Sequence, residues 1–395
     1  MAMINEPNAN AKHRAQVTVR TGNHRVVAPT GRARPILTRR EVIALPIACS
    51  ALGAVQGLLQ PGAVFGAQAI NEDDPGNIKL AHRLSARISD EDLRFLQQIG
   101  LKWARVNFGE DEQFDFMRQT QQRFERFGLQ IYSGVHNAYR DLKIQLGLVG
   151  RDAVIERYQT FLRNLGRLGI SVSCYDFHPA NTYTTNQVER RGYQAREFNL
   201  KDFREKIERR RFDREYESEE IWETYHYFMK AVLPVAEEAK VKLALHPDDP
   251  PIAKMNGVAK LFTHYEGYRR AEEIAAGSPA WGLTFCVGTW IEGGDQMGKD
   301  VFEMIRDFGG RGKIFGVHFR NVSAPLPHFV ETFPDDGYVD MYQVMKTLRE
   351  VRFNGSLVPD HIPHLAGDTG IRRAGTAYCI AYLRALLRRA NEEVG

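Results

Sequence analysis

The chain has 395 residues, a formal net charge of +4 and four cysteines. Its 43% hydrophobic and 26% charged residues are typical of a globular protein, which excludes wholesale disorder and the fibrous classes. Four cysteines are too few for a disulfide scaffold at this length. The positive charge lies in residues 1–69, which hold eight of the 53 Lys and Arg but only two of the 49 Asp and Glu. Because the rest of the chain has no basic surplus, we expect no nucleic-acid partner.

The basic segment leads into an apolar one. Thr38-Arg39-Arg40 precedes the apolar stretch 42–59, and Ala67-Gln68-Ala69 places small residues at the positions that a signal peptidase reads. The paired arginines resemble a twin-arginine export signal. We therefore expect residues 1–69 to be a disordered leader and signal peptide of a periplasmic protein, with no stable membrane span after cleavage. The alternative is a cytoplasmic protein with a misassigned start, because the polar residues 1–35 are long for a signal.

The remainder alternates short apolar runs with amphipathic segments. The runs predict strands at Ile78–Leu84, Lys102–Phe108, Gln130–His136, Ile170–Phe177, Lys242–His246, Gly282–Gly288, Ile314–Asn321 and Ser356–His361. The intervening segments predict helices, among them Ser89–Ile99, Asp152–Leu168, Ser218–Lys240, Asp300–Phe308, Asp340–Val351 and Gly375–Ala390. Eight strand–helix repeats predict a single α/β domain over residues 70–395, a (β/α)8 TIM barrel. The highly charged residues 181–217 are expected to form a helical insertion.

Four consecutive predicted strands end in residues that can bind a transition metal. These residues are His246, Cys286, His318 and Asp360. The carboxyl ends of barrel strands meet at one rim, so the four side chains are expected to converge. Imidazole and thiolate ligands argue against Mg²⁺ and Ca²⁺ and allow Mn²⁺, Fe²⁺, Co²⁺ or Zn²⁺. Chelation of a sugar acid through two oxygens needs open coordination positions and favours Mn²⁺ or Fe²⁺.

Other polar residues of the rim are candidates for contacts with a substrate. Arg320 lies two residues after His318 and so points to the same face, where it suits a substrate carboxylate; an ion pair with a neighbouring acid is the alternative. Asn107 is a candidate for binding hydroxyls. Asp248 is assigned to the substrate shell, where it can also orient a ligand imidazole, or else it caps a helix. His361 has the side chain of a general acid or base.

These strings resemble the mannonate dehydratase family. The motifs that carry the resemblance are HPDDPP (246–251), GLTFC (282–286), VHFRN (317–321) and PDH (359–361), and the similarity extends from about residue 80 to the C-terminus. The resemblance implies a xylose-isomerase-like barrel and a Mn²⁺ or Fe²⁺ ion bound by His246, Cys286, His318 and Asp360, with His361 as an acid/base residue. It also implies the family's reaction, the loss of water from D-mannonate to give 2-keto-3-deoxy-D-gluconate.

Parts of the substrate shell depart from the family's pattern. The tyrosine that the family carries after the PDH motif has no counterpart in residues 370–375, so we expect the second acid/base group to be His178 or His136. Our leading hypothesis is a lyase that dehydrates a sugar acid. A metal-dependent sugar isomerase or epimerase of the same barrel superfamily is the alternative, and an exported sugar-binding protein without activity is a third. The sequence leaves the number of subunits open, a homo-oligomer included.

Overall fold

The structure is a computed structural model that describes residues 70–179 and 183–395. The predicted leader and export signal, residues 1–69, lie outside the described residues, as does the short segment 180–182. Among the helices of the two described ranges, none is both long enough and apolar enough to cross a bilayer.

Within those ranges, fourteen strands form one closed barrel and two smaller sheets. The strands are β1 (Lys79–Ser85), β2 (Trp103–Asn107), β3 (Gln130–Val135), β4 (Val172–Tyr175), β5 (Asn186–Arg190), β6 (Tyr193–Asn199), β7 (Lys242–Leu245), β8 (Lys254–Met255), β9 (Val258–Ala259), β10 (Trp281–Cys286), β11 (Ile314–Phe319), β12 (Asn321–Val322), β13 (His328–Thr332) and β14 (Ser356–Pro359). The barrel closes in the order β1-β14-β11-β10-β7-β4-β3-β2, with parallel pairing throughout. These eight strands are the predicted ones, within two residues at each end, and the TIM barrel is confirmed.

The helices follow the strands and cover the outside of the barrel. They are α1 (Asp90–Gln98), α2 (Phe114–Glu125), α3 (Leu142–Gln145), α4 (Arg151–Arg167), α5 (Leu200–Asp202), α6 (Ser218–Glu238), α7 (Tyr265–Ile274), α8 (Val287–Gly293), α9 (Val301–Met304), α10 (Met341–Glu350) and α11 (Arg373–Val394). Local sequence explains their ends: Ser89 caps α1 by accepting from the Asp92 N–H, and Asp300 and Glu303 form a capping box at α9. The apolar stripe of α4 is buried, as its helical spacing predicts.

The insertion is built differently from the prediction. Residues 186–199 form a β-hairpin, β5 with β6, and β6 also pairs with β13, giving a four-stranded sheet in the order β12-β13-β6-β5. The two turn residues, Arg191 and Gly192, both have positive φ (49° and 83°), as a tight hairpin of primed type requires. Helical residues in the insertion are confined to α5 and a single π-type turn, Phe203–Ile207. The prediction of a helical insertion is therefore wrong for this hairpin.

The reason lies in the burial pattern of β6. Tyr193 and Ala195 are buried, whereas Gln194 between them is exposed. A strand with one covered face buries alternate residues in this way, and Phe198 is buried outside this period. The density of charge in the segment hides the short alternation in the sequence.

Candidate metal centre and active site

A polar cavity of about 330 Å³ opens at the carboxyl ends of the barrel strands, the rim where the sequence places the site. The cavity is rich in arginine, histidine and aspartate and contains no aliphatic side chain. Its lining consists of Arg83, Arg105, Tyr139, Arg140, Cys174, Tyr175, Asp176, His178, Arg196, His246, Asp249, His318, Asp360 and His361.

Three of the predicted metal ligands form a tight cluster in this cavity wall. One ligand atom each from His246, Cys286 and His318 lies within 4.8 Å of the others, and His246 Nε2 is 3.1 Å from His318 Nδ1. The barrel register explains the meeting, because Cys286 on β10 lies opposite His318 on β11. The fourth predicted ligand, Asp360, directly follows β14, and its Oδ2 is 3.5 Å from His318 Nδ1.

The protonation state of the imidazoles suits a metal ion. His246 Nδ1 is 2.7 Å from the carbonyl oxygen of Pro247, which only accepts, so this nitrogen carries the proton and Nε2 offers a lone pair toward His318. Burial lowers the pKa of His246 well below its ordinary value and lowers the pKa of His318 to about 4. Both rings are therefore neutral near pH 7, the form that coordinates a metal. Two ring nitrogens that face each other at this distance can both coordinate one cation.

The thiol and the carboxylate complete the donor set. Cys286 Sγ accepts hydrogen bonds from Thr289 N (3.5 Å) and Oγ1 (3.2 Å). Burial raises the pKa of Cys286 to about 12, but a coordinating cation deprotonates a thiol outright. Burial also acts to raise the pKa of Asp360, but His361 and Arg83 outweigh it and hold that pKa well below its usual range. Two imidazoles, a thiolate and a carboxylate suit a divalent transition metal.

Arg320 lies beneath the ligands rather than in the cavity. Its guanidinium is 1% exposed and pairs with Glu292 through Nη1 and with Asp249 through Nη2 at 2.7 Å, while Nε is 3.5 Å from Asp360 Oδ2. A Cβ at Gly288 would come within 2.3 Å of Arg320 Cγ, so only glycine leaves room for this side chain. The structure thus supports the alternative prediction for Arg320, an ion pair with neighbouring acids. The predicted contact of Arg320 with a substrate carboxylate is wrong, because the guanidinium is buried and already paired.

His361 is held at the edge of the ligand cluster by the sheet that contains the insertion. Its Nδ1 is 2.9 Å from Glu331 Oε1, and the Arg196 fork binds the same carboxylate through two contacts of 2.7 Å. Arg196 Nη2 is also 2.6 Å from Nδ1, so the Nδ1 side of the ring is held between a guanidinium donor and a carboxylate acceptor. His361 Nε2 lies 3.4 Å from Asp360 Oδ2, on the side of the ring away from these contacts. The residue has a φ of 47°, which turns its side chain inward after β14.

The other sequence-predicted residues separate into two groups. His178 lines the cavity, with its Nε2 3.7 Å from Asp248 Oδ1. Asp248 itself is fully buried and accepts from the Phe262 N–H at 2.9 Å, so it supports His178 and does not line the cavity. His136 is also fully buried, with Nε2 3.1 Å from Glu112 and Nδ1 accepting from the Ala138 N–H. These contacts occupy both ring nitrogens away from the cavity, which removes the basis for its predicted catalytic role.

Asn107 lies at a neighbouring cavity of about 470 Å³ instead of at the site. Its side chain accepts from the Gly109 N–H at 2.7 Å and donates to Asn137 at 3.3 Å. It therefore shapes the loop after β2, and the predicted role in binding substrate hydroxyls is not supported.

Several lining residues are absent from the sequence-based set. Arg83 and Arg105 are charged residues in the middle of the barrel strands β1 and β2, which is a usable signal in the sequence. Arg140 and Arg196 come from a loop and from the insertion, and no local pattern marks them as site residues.

Comparisons with known proteins show the family to which the chain belongs. The family model for D-mannonate dehydratase (UxuA) matches residues 98–208 and 191–394. The chain belongs to the D-mannonate dehydratase family. Among its relatives, the mannonate dehydratase of Thermotoga maritima is 31% identical over 294 residues, 65% of this chain and 79% of that protein. Mannonate dehydratase 2 of Halalkalibacterium halodurans is 31% identical over 262 residues, 58% of this chain and 72% of that protein.

Solved structures agree with the family and the fold. The mannonate dehydratase of Streptococcus suis serotype 2 superposes with a TM-score of 0.72 at 27% identity, covering 81% of this chain and 96% of that one. A xylose isomerase domain protein of Planctomyces limnophilus gives a TM-score of 0.53 at 12% identity, covering 80% and 99%, and shares the fold. The predictions of the family, of a xylose-isomerase-like barrel and of a lyase are confirmed.

We expect Cys286→Ala to lower the bound metal at least about tenfold after dialysis, because the thiolate is one of few ligands. Metal content per chain, measured by inductively coupled plasma mass spectrometry, checks this. Cys379→Ala is the matched control, since Cys379 is equally buried but lies on α11 outside the cluster. Unchanged metal content in Cys286→Ala would contradict the assignment.

Proposed function

We propose that the protein is a metal-dependent dehydratase of sugar acids that converts D-mannonate into 2-keto-3-deoxy-D-gluconate and water. The observation that carries the proposal is the cluster of His246, Cys286 and His318 beside Asp360, in a chain of the D-mannonate dehydratase family. The residues around this cluster supply what an elimination of water needs: imidazoles that can accept or donate a proton, at a polar cavity sized for a small molecule.

We propose Mn²⁺ or Fe²⁺ as the resident ion, because the mixed N, S and O donor set disfavours Mg²⁺ and Ca²⁺. His246, Cys286, His318 and Asp360 would hold it. When bound, the ion supplies Lewis-acid chemistry that polarises the acid's oxygens and acidifies the proton on C2.

The two cavity histidines outside the metal-ligand set, His178 and His361, divide the proton transfers. Elimination requires one group to take the C2 proton and a second group to protonate the departing C3 hydroxyl, which leaves as water; the resulting enol then becomes the 2-keto acid. Glu331 and Arg196 hold the Nδ1 side of the His361 ring, which leaves Nε2 as the atom to take up or release a proton at the cavity. His178 lines the same cavity with Asp248 behind it and is our candidate for the second group.

An assay of the full chain loaded with Mn²⁺ or Fe²⁺ tests this function. We expect keto-acid formation from D-mannonate with a turnover on the order of 1 s⁻¹ or faster, and its loss in Cys286→Ala. Absence of keto acid with both ions would overturn the proposal. Deuterium incorporation into recovered substrate without loss of water would instead identify an isomerase or epimerase, and ligand binding without turnover would identify a binding protein.

The histidine assignment makes a separate prediction. His361→Asn and His178→Asn should each lower kcat by roughly 10²–10⁴-fold while the metal stays bound, because each removes one proton transfer. His226→Asn, a change at an exposed histidine of α6, should leave kcat unaltered. Steady-state kinetics and metal analysis on the same preparations check this, and a kcat for either cavity variant within threefold of the parent would contradict the role assigned to it.

We also propose that residues 38–69 act as a twin-arginine export signal and that the enzyme works in the periplasm. The support is the order of Arg39-Arg40, the apolar stretch 42–59 and Ala67-Gln68-Ala69. Replacing Arg39 and Arg40 by lysine should retain the protein in the cytoplasm, as measured by cell fractionation and immunoblotting. Replacing Arg32 and Arg34 by lysine in the same leader is the control and should not change export. Equal export of both variants would refute the signal.

A further inference from the structure

The arginines of the site differ in whether a carboxylate faces them. Arg320 is paired with Asp249 and Glu292 beneath the cavity. Three arginines of the lining are also paired: Arg83 with Asp360, Arg140 with Asp176 (Nε to Oδ2, 3.1 Å) and Arg196 with Glu331 (Nε to Oε2, 2.7 Å). The positive charge of each of these guanidiniums is therefore offset by the protein itself.

Arg105 is the exception. It lines the cavity and is only 9% exposed, yet within residues 70–179 and 183–395 its guanidinium has neither a hydrogen bond nor an ion pair, and its buried Nε is without an acceptor. A buried guanidinium without a counter-charge is unfavourable. A ligand that enters the cavity can supply the acceptors that the protein does not.

The position of Arg105 is a second argument for a negatively charged ligand. In the β1–β2 register it lies directly opposite Arg83, so two like charges stand at the same level of the barrel. Arg83 is offset by Asp360, the metal-ligand candidate that follows β14. One positive charge therefore remains uncompensated beside the ligand cluster, and it faces the same cavity as His361 and His178.

We infer that Arg105 binds the carboxylate of the substrate and that the site selects singly charged sugar acids over neutral sugars. This inference rests on the proposed function and names the residue that reads the acid group. A guanidinium matches a carboxylate with two parallel hydrogen bonds, and one uncompensated charge calls for one negative charge on the ligand. Arg105 is thus a specificity-determining residue and takes the role that the sequence suggested for Arg320.

Calorimetric titration of the metal-loaded full chain tests the inference in a His361→Asn background, which suppresses turnover and serves as the parent protein, with two ligands that share every hydroxyl. D-mannonate carries the carboxylate, and D-mannonamide replaces it by a neutral amide. We expect the parent protein to bind D-mannonate at least about 30-fold more tightly, since hydrogen bonds between charged groups are the strong ones. In Arg105→Gln this preference should fall to within about threefold, with metal content and melting temperature unchanged.

Controls separate this effect from general damage. Arg87→Gln changes an exposed arginine in the loop after β1 and should retain the full preference for the acid. If Arg105→Gln does not fold, Arg105→Lys decides. It keeps the charge but loses the fork, so the preference should fall by about three- to tenfold.

The outcomes are distinct. An undiminished preference in Arg105→Gln, or in Arg105→Lys where only that variant folds, overturns the inference. So does a parent protein that does not distinguish acid from amide. A preference that depends on Arg105, together with an absence of keto acid from the chain with His361 intact, would support the inference while refuting the proposed dehydration.

Discussion

The site depends on one buried guanidinium. Asp249 and Glu292 carry carboxyl groups into the interior, and burial alone acts to raise the pKa of both. Arg320 meets these two carboxylates with its planar fork and places Nε beside Asp360. Removing one partner of a buried ion pair leaves a charge uncompensated, which is strongly destabilising. Arg320 therefore compensates the buried Asp249 and Glu292 beside Asp360, which is also paired with Arg83.

The barrel explains why the ligand set was predictable from sequence. Parallel strands that close on themselves deliver the residues after their carboxyl ends to one rim, whatever their separation along the chain. His246, Cys286 and His318 stand at the ends of three such strands, and strand ends can be read from apolar runs. The fold and the ligand candidates thus followed from local patterns, and the family from the resemblance of the motifs that carry them.

The roles of Arg320 and Arg105 could not be predicted from the sequence, because they depend on contacts between residues that are distant along the chain. Arg105 lies on β2 and Arg320 directly follows β11, and nothing near either residue in the sequence shows that their roles differ. What separates them is their partners, and those of Arg320 are distant: Glu292 is 28 residues away and Asp249 is 71. Charge compensation is a property of the assembled rim, so it cannot be read from spacing within one strand.

The insertion shows the same limit at the level of secondary structure. Dense charge in residues 181–217 suggested a solvated helix, but residues 186–199 form a hairpin that pairs with β13 and buries Tyr193 and Phe198. Its Arg196 then reaches Glu331, the carboxylate that fixes the ring of His361.

The metal-ligand candidates and the residues that would choose among sugar acids consequently come from different parts of the chain. Strand ends of the barrel hold the ligand cluster, and their parallel ladders leave little freedom for it to change. The hairpin contributes Arg196 to the cavity lining and, through Glu331, holds His361, and such segments tolerate substitution better than barrel strands do. A protein of this design can keep one metal chemistry while the hairpin and the loops alter which sugar acid fits. Arg105 lies on the barrel strand β2. The proposed requirement for a carboxylate therefore depends on the barrel, whereas the choice among sugar acids depends on the loops.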